Sequence, residues 1–132
     1  MKRLLAIMTA LVMVLAACGG GDSDNGDDGG SDNGDSSGLV GDAAAGEDVY
    51  ASTCATCHGP DATGIDGLGK DLHNNAFVDG LNDAELVAFL EEGRSAGDPA
   101  NETGVDMPPK GGNPSLSDQD LYDVSAYLRT LD

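Results

Sequence analysis

The sequence is short and strongly acidic: its 132 residues include six basic and 24 acidic side chains, which gives a formal net charge of −18. The length fits a single domain. Because phosphate groups repel so negative a chain, nucleic acid is excluded as a partner, and broad attraction to an anionic lipid surface is disfavoured for the same reason.

Residues 1–17 have the composition of a secretory signal peptide. Lys2 and Arg3 precede an apolar run of 14 residues, shorter than the roughly 20 that a membrane-spanning helix needs. The run leads into "LAAC" at residues 15–18, which resembles the lipobox of bacterial lipoproteins. The resemblance implies that the chain is cut before Cys18 and that Cys18 is acylated. The alternative is an ordinary signal peptide with a chance cysteine.

Residues 18–41 are predicted to form a disordered acidic tether. From residue 19 to residue 38 the sequence contains only Gly, Asp, Ser and Asn, so no apolar side chain offsets the entropy of ordering. A glycine-rich coil of about 20 residues spans roughly 25 Å. After cleavage the chain would keep four basic residues against 24 acidic ones, a formal charge of −20.

Three helices are predicted in the foldable part of the chain, residues 39–132, and no stretch alternates as a strand would. They cover residues 42–57, 82–93 and 117–131. Each begins at a residue suited to an N-cap: Asp42, Asn82 and Ser117. The second and third have an acidic residue three positions later, which is typical of a capping box. The predicted fold class is therefore all-α.

Two long stretches between the helices, residues 58–80 and 93–115, have no predicted structure. Connections of this length are unusual in a compact domain and are typical of functional loops. The domain has no tryptophan, and Cys18 aside it has one possible cysteine pair. Because a single apolar core of this size is marginal, we expect the domain to wrap around something bound.

The stretch "CATCH" places Cys54, Cys57 and His58 within five positions, and three chemistries are possible. A zinc site needs four ligands in a tetrahedron, and the chain offers one further histidine, so zinc is disfavoured. A thiol–disulfide oxidoreductase would carry its C-x-x-C at the start of a helix after a strand, whereas this motif ends a predicted helix. Covalent haem attachment is favoured, because cysteines three apart project from one side of a helical turn and the next histidine can face the iron.

A sixth iron ligand is predicted in the second long loop. Met107 is the one methionine that remains after removal of residues 1–17. Pro108 restricts Met107 to extended geometry in a glycine- and proline-rich loop, which suits a ligand better than a core residue. His73 is the competing ligand, but it lies in a polar stretch and is expected to face solvent. His58 and Met107 are therefore the predicted metal ligands.

These features together resemble the class I c-type cytochromes. "CATCH" is similar to the haem-binding motif of that family, and "MPP" is similar to its distal loop. The resemblance implies one haem c, bound covalently through thioethers at Cys54 and Cys57, with His58 and Met107 as axial ligands. It also implies the class I cytochrome c fold, in which three or more helices and long loops wrap around one haem, for a domain of residues 42–132.

Further residues carry the resemblance. Gly46 and Tyr50 are similar to the small and aromatic residues of the family's first helix, and Tyr127 in "AYL" is similar to the aromatic residue of its last helix, which crosses the first at that glycine. The family often has Gly-Pro-x-Leu after the haem motif, where this sequence has "GKDL". Leu72 would then pack against the haem. The carbonyl of Lys70, in place of the proline's, can accept the same hydrogen bond from the proximal histidine.

The resemblance implies an electron-transfer protein, not an enzyme. We expect a one-electron carrier in a respiratory chain, between a quinol-oxidising complex and a terminal oxidase or reductase. It would be an exported monomer, held to the lipid bilayer by acylated Cys18 at the outer face of the cell membrane, or on the periplasmic side in a bacterium with two membranes. The alternatives are a haem sensor or peroxidase-like protein with an open iron site, and a thiol–disulfide oxidoreductase.

Overall fold

The computed structural model describes residues 38–131 as a set of helices joined by long loops. The predicted signal peptide (1–17), Cys18, the tether up to residue 37, and Asp132 lie outside the described residues. In chain order the elements are α1 (Ala43–Val49), a π-helical segment (Tyr50–Cys54), α2 (Ala55–His58), α3 (Ala76–Asp79), α4 (Asp83–Glu92), a 3₁₀ helix (Pro109–Gly112), α5 (Asp118–Leu128) and a last 3₁₀ helix (Arg129–Leu131). Residues 38–131 contain two isolated β-bridges and no longer strand, and the all-α prediction is confirmed.

The three predicted helices are present with their predicted caps. The first predicted helix corresponds to α1, the π-helical segment and α2, which follow one another without a break. The Asp42 side chain accepts hydrogen bonds from the backbone N–H groups of Ala44 and Ala45, at 2.8 and 3.2 Å. Complete capping boxes begin α4 and α5. Local sequence was therefore sufficient to position the N-termini of the main helices.

Two short elements inside the long loops were not predicted. The helix α3 occupies four residues of the first loop, and the Asn75 side chain caps it by accepting from the Phe77 and Val78 N–H groups at 3.1 and 3.4 Å. The 3₁₀ helix Pro109–Gly112 lies in the second loop. Four residues are too few to show a periodic apolar pattern, so only the cap could have indicated α3.

The first and last helices cross in direct backbone contact at Gly46. A Cβ atom built on Gly46 would lie 1.9 Å from the carbonyl oxygen of Asp123 and 2.9 Å from the Cβ of Tyr127, both on α5. One turn along, the rings of Tyr50 and Tyr127 pack with their centroids 5.2 Å apart and a tilt of 46°. A residue without Cβ is therefore required for this crossing, as the family resemblance implied.

The core lies between this helix pair and α4. Its buried apolar side chains include Tyr50, Leu86, Leu90, Leu121, Val124 and Leu128. Arg129 ties the end of α5 to the turn before α4. Its guanidinium donates to the carbonyl oxygens of Val78 and Leu81, at 2.8 and 2.6 Å, and to Asp83 Oδ1 at 3.3 Å.

The packed chain already includes residues 39–41, which precede the predicted domain boundary at residue 42. Leu39 packs against the core. Gln119 Nε2 donates to the carbonyl oxygen of Val40, and the N–H of Asp42 donates to Asp123 Oδ1, both at 2.8 Å. Hydrogen bonds thus hold the main chain of residues 40 and 42 to α5. Within residues 38–131 no helix has the length and apolarity that crossing a membrane requires.

The helix crossing predicts that Gly46→Ala destabilises the protein. Alanine favours a helix by up to about 1 kcal/mol over glycine, but overpacking costs about 1–3 kcal/mol, and here the Cβ would meet backbone that cannot rotate away. Denaturant unfolding of the haem-loaded protein should show a loss of about 1–2 kcal/mol.

Gly97→Ala is the matched control, because a Cβ at Gly97 meets no atom within 4 Å. Equal unfolding free energies for the two variants would contradict the close crossing.

Candidate functional site

The "CATCH" residues lie at the end of the first helical stretch. Cys54 ends the π-helical segment, and Cys57 and His58 lie in the last turn of α2, which stops at Gly59 with φ +81°. Interruptions of this kind in an α-helix are frequent at functional sites. The buried hydroxyl of Tyr50 donates to the carbonyl oxygen of Gly59 at 2.7 Å and so fixes the turn that follows the motif. Burial raises the pKa of Tyr50 far above its ordinary value, which keeps this hydroxyl a donor.

The imidazole of His58 is held by the main chain of the first long loop. Its Nδ1 lies 2.8 Å from the carbonyl oxygen of Lys70. A carbonyl oxygen can only accept, so Nδ1 is the donor in this bond, and Nε2 is the ring nitrogen left to bind a metal. The loop approaches closely because residue 69 is glycine: a Cβ there would lie 2.1 Å from the Cys57 carbonyl oxygen. Lysine thus substitutes for the proline of the family pattern without loss of the bond.

Met107 is held by main-chain bonds at the base of the second long loop. Arg94 and Met107 exchange both of their backbone hydrogen bonds, each 2.8 Å long. Pro108 continues the chain with φ −71° and ψ 155°, an extended geometry. Met107 is half-buried and packs against the core, whereas its loop position predicted a ligand in preference to a core residue.

One cavity of about 650 Å³ brings the predicted site residues together. Its wall includes Cys54, Cys57, His58, Leu72 and Met107. Core residues of α4 and α5 line it too, among them Leu86, Leu121, Val124 and Leu128. The volume lies in the range of about 300–1,000 Å³ that is usual for small-molecule sites. The roles of these residues as ligands remain predictions.

His73 lines the same cavity and contacts the carboxylate of Asp71. Its backbone N–H donates to Asp71 Oδ1 at 2.8 Å, and its Nδ1 lies 3.3 Å from the same oxygen. Its side chain is about a third exposed. His73 thus remains the competing ligand, and the preference for Met107 stays a prediction from the sequence.

The geometry weighs against the zinc and thiol alternatives. In the part of the chain that the structure describes, no group of three or more His, Cys, Asp or Glu side chains could hold a metal ion. Burial, with a smaller contribution from the neighbouring Cys57, raises the pKa of Cys54 to about 11. Thiol–disulfide exchange needs a thiolate of lowered pKa, so the environment of Cys54 works against it.

Phe77 and Arg94 were missed at the site. Both line the cavity. The guanidinium carbon of Arg94 lies 4.4 Å from the ring centroid of Phe77 and 4.8 Å from that of Phe89. The chain has only two phenylalanines, and both are in this cluster. The scarcity of phenylalanine was the signal available in the sequence. The contact of Arg94 with the two rings joins α3, α4 and a loop, so local sequence could not predict it.

Comparison with known proteins identifies the family. Residues 41–128, which are 88 of the 132 residues, match the family described as "Cytochrome C oxidase, cbb3-type, subunit III". The chain belongs to the class I c-type cytochromes. Membership implies a covalently bound haem c. Two cysteines, a histidine whose Nδ1 bonds the main chain and an apolar cavity fit that group.

The relatives of this cytochrome include free-standing cytochromes and parts of larger proteins. It is 33% identical to cytochrome c-554(547) of Halothiobacillus neapolitanus over 98 residues, which cover 70% of this chain and 99% of the relative. It is 31% identical to the cbb3-type cytochrome c oxidase subunit CcoP of Rhodobacter capsulatus over 90 residues, 67% of this chain and 29% of that subunit. It is 34% identical to thiosulfate dehydrogenase of Stutzerimonas stutzeri over 67% of this chain and 27% of that enzyme. The chain thus spans less than a third of CcoP.

The hydroxyl of Tyr50 is predicted to stabilise the haem-motif turn. Tyr50→Phe keeps the ring and removes the hydrogen bond to Gly59, leaving a buried carbonyl without that donor. We expect the unfolding free energy of the holoprotein to fall by about 1–2 kcal/mol. Tyr127→Phe, in a half-buried side chain of the same ring pair, is the control and should cost less. A Tyr50→Phe protein as stable as the control would contradict the assignment.

Proposed function

We propose that this cytochrome is a monohaem one-electron carrier with histidine and methionine ligation. The observation that carries the proposal is the convergence of His58 and Met107 on one apolar cavity, each held by main-chain hydrogen bonds from a different loop. Fixed ligands minimise rearrangement when an electron arrives or leaves, which suits a carrier better than an enzyme that must open its iron to a substrate.

Each site residue then has a definite task. Cys54 and Cys57 would hold the haem through thioether bonds, and Leu72 would pack against it. The His58 imidazole would be oriented and made more basic by donating Nδ1–H to the Lys70 carbonyl oxygen. Met107 would supply the second axial ligand through its sulfur. Bound haem supplies a reversible ferric–ferrous couple, and the apolar wall excludes water from it.

The methionine assignment is tested by the spectrum of the ferric protein. The wild-type protein should show the methionine-to-iron charge-transfer band, and Met107→Ala should lose it. The reduction potential of the variant should fall by on the order of 100 mV, because the thioether favours ferrous iron. His73→Ala is the control and should keep both the band and the potential.

The opposite result would support a haem sensor or peroxidase-like protein. Rapid carbon monoxide binding by reduced wild-type protein, together with a ferric spectrum that lacks the band, would mean that the iron has an open position. Either His73→Ala losing the band or Met107→Ala keeping it would overturn the assignment of Met107.

We further propose that acylated Cys18 anchors this carrier to the outer face of a membrane, where it exchanges electrons with a quinol-oxidising complex and a terminal oxidase or reductase. Similarity to the oxidase subunit CcoP supports an oxidase as partner. A flexible tether would raise the local concentration of the domain near such complexes without tight binding. The small interfaces of electron-transfer complexes fit that arrangement.

Charge indicates the kind of surface that a partner would present. The four basic side chains of residues 38–131 all have partners inside the domain, in agreement with a surface that is anionic overall. These contacts are Lys70 with Glu102, Arg94 with Phe77 and Phe89, Lys110 with the Leu116 carbonyl oxygen, and Arg129 with the Val78 and Leu81 carbonyl oxygens. A partner would therefore bring a basic surface to the contact.

The lipid anchor predicts a change in location on a single substitution. Cys18→Ser removes the acylated sulfur, and we expect the protein to move from the membrane fraction to the soluble fraction. Ser23→Ala, a matched change in the tether, should leave it in the membrane fraction. A Cys18→Ser protein that stays with the membranes after a high-salt wash would contradict lipid anchoring.

A further inference from the structure

Met107 is joined to the rest of the domain through Arg94. The two residues form an isolated bridge of two backbone hydrogen bonds at the base of the loop 95–106. The loop itself is organised largely from within: Asn101 Nδ2 donates to the carbonyl oxygens of Ser95 and Val105 at 3.0 and 2.7 Å, and the Ala96 N–H bonds to Asp106 Oδ1. A Cβ on Gly93 would lie 2.2 Å from the Met107 carbonyl oxygen, so the main chain of Met107 is held against Gly93 as well as bonded to Arg94.

The side chain of Arg94 packs against a pair of aromatic rings that contact each other, and we call these three side chains the Phe77–Arg94–Phe89 clamp. Its guanidinium carbon lies 4.4 Å from the Phe77 centroid and 4.8 Å from the Phe89 centroid. The two ring centroids lie 4.8 Å apart, and the rings pack edge to face. Phe89 belongs to α4 and Phe77 to α3. The Arg94 side chain is 21% exposed, whereas its ion-pair partner Asp98, 4.0 Å from Nε, is 42% exposed. Phe77 is itself 40% exposed, so burial does not separate the two kinds of contact. The aromatic contacts should dominate because two ring centroids lie within 5 Å of the guanidinium carbon, whereas a single ion pair with an exposed partner contributes little.

We propose that Arg94 is the positioning residue for the Met107 sulfur, and that the Phe77–Arg94–Phe89 clamp sets how often Met107 leaves the iron. The inference rests on the proposed role of Met107 as a ligand. In this arrangement α3 and α4 hold the guanidinium, and the backbone of Arg94 passes that restraint to Met107 through the two-bond bridge. Loosening the clamp should raise the population of the methionine-off state and leave the haem attachment intact.

Imidazole added to the ferric holoprotein measures that population. It can bind only where Met107 is displaced, so its apparent affinity rises in proportion to the methionine-off fraction. We expect Arg94→Gln to tighten apparent imidazole binding about 10-fold, within the ~2- to 30-fold range that cation–π contacts span. Phe77→Leu should act in the same direction. If both act through the clamp, the double variant should be little tighter than the stronger single variant.

Two controls separate positioning from general stability. Gln119→Ala removes two 2.8 Å hydrogen bonds, to the Val40 carbonyl oxygen and to Asp123 Oδ1. Gln119 does not line the cavity and bonds neither α3 nor α4, so this change should lower the unfolding free energy without changing imidazole affinity. Asp98→Asn removes the ion pair and keeps the rings, so it should also leave the affinity unchanged. Arg94→Lys, which keeps charge without the planar guanidinium, should fall between wild type and Arg94→Gln.

The outcomes distinguish this inference from the proposed function. A wild-type ferric protein without the methionine-to-iron band would overturn the proposed ligation and the inference with it. A wild-type band combined with imidazole affinities unchanged in Arg94→Gln and Phe77→Leu would overturn the inference alone. Equal tightening by Gln119→Ala would also overturn it, because loss of stability would then explain the effect. If Arg94→Gln yields no holoprotein, Phe77→Leu decides by the same criterion.

Discussion

The crossing of α1 and α5 is the contact that positions everything else in this domain. With no side chain on Gly46, the backbone of α1 meets the Asp123 carbonyl directly, and Tyr50 and Tyr127 pack beside it. The helix that carries the haem motif is thereby fixed to the helix whose opposite face lines the cavity. Tyr50 continues the restraint, since its hydroxyl bonds the residue after His58. A shift of this crossing would move both the motif and the cavity wall.

The apolar residues of the domain serve two purposes at once. Leu86, Leu121, Val124 and Leu128 belong to the core and also line the 650 Å³ cavity. A domain of about 94 residues with no disulfide among residues 38–131 has little other apolar area to bury. The bound haem therefore completes the core as well as supplying the redox centre, so attachment and folding should be coupled through shared contacts.

Much of this arrangement could be predicted from sequence because the signals are local. Caps at Asp42, Asn82 and Ser117 fix the starts of the helices. The spacing within "CATCH", together with a single methionine after residue 17, indicates the chemistry. What could not be predicted joins residues far apart in sequence. The hydrogen bond from His58 to the Lys70 carbonyl oxygen and the contact of Arg94 with Phe77 depend on how the loops pack together. Every residue has a main-chain carbonyl, so the sequence does not show which one accepts the bond. The predicted roles of Cys18 and the tether concern residues that the structure does not describe.

The two proposed ligands are held in unequal ways. His58 lies in the last turn of a helix and is fixed by one bond to a loop. Met107 lies in a loop, and its main chain is held by a two-bond bridge to Arg94, whose guanidinium packs on Phe77 and Phe89. If one ligand is displaced first, the loop-held methionine is the one that the structure leaves easier to release.

Iron-edge X-ray absorption of the haem-loaded protein tests most directly the proposal that His58 and Met107, which line one cavity, both bind the iron. The account predicts one sulfur scatterer and one imidazole nitrogen beside the porphyrin nitrogens, with the sulfur lost in Met107→Ala. A wild-type spectrum without sulfur, or with two imidazoles, would contradict it.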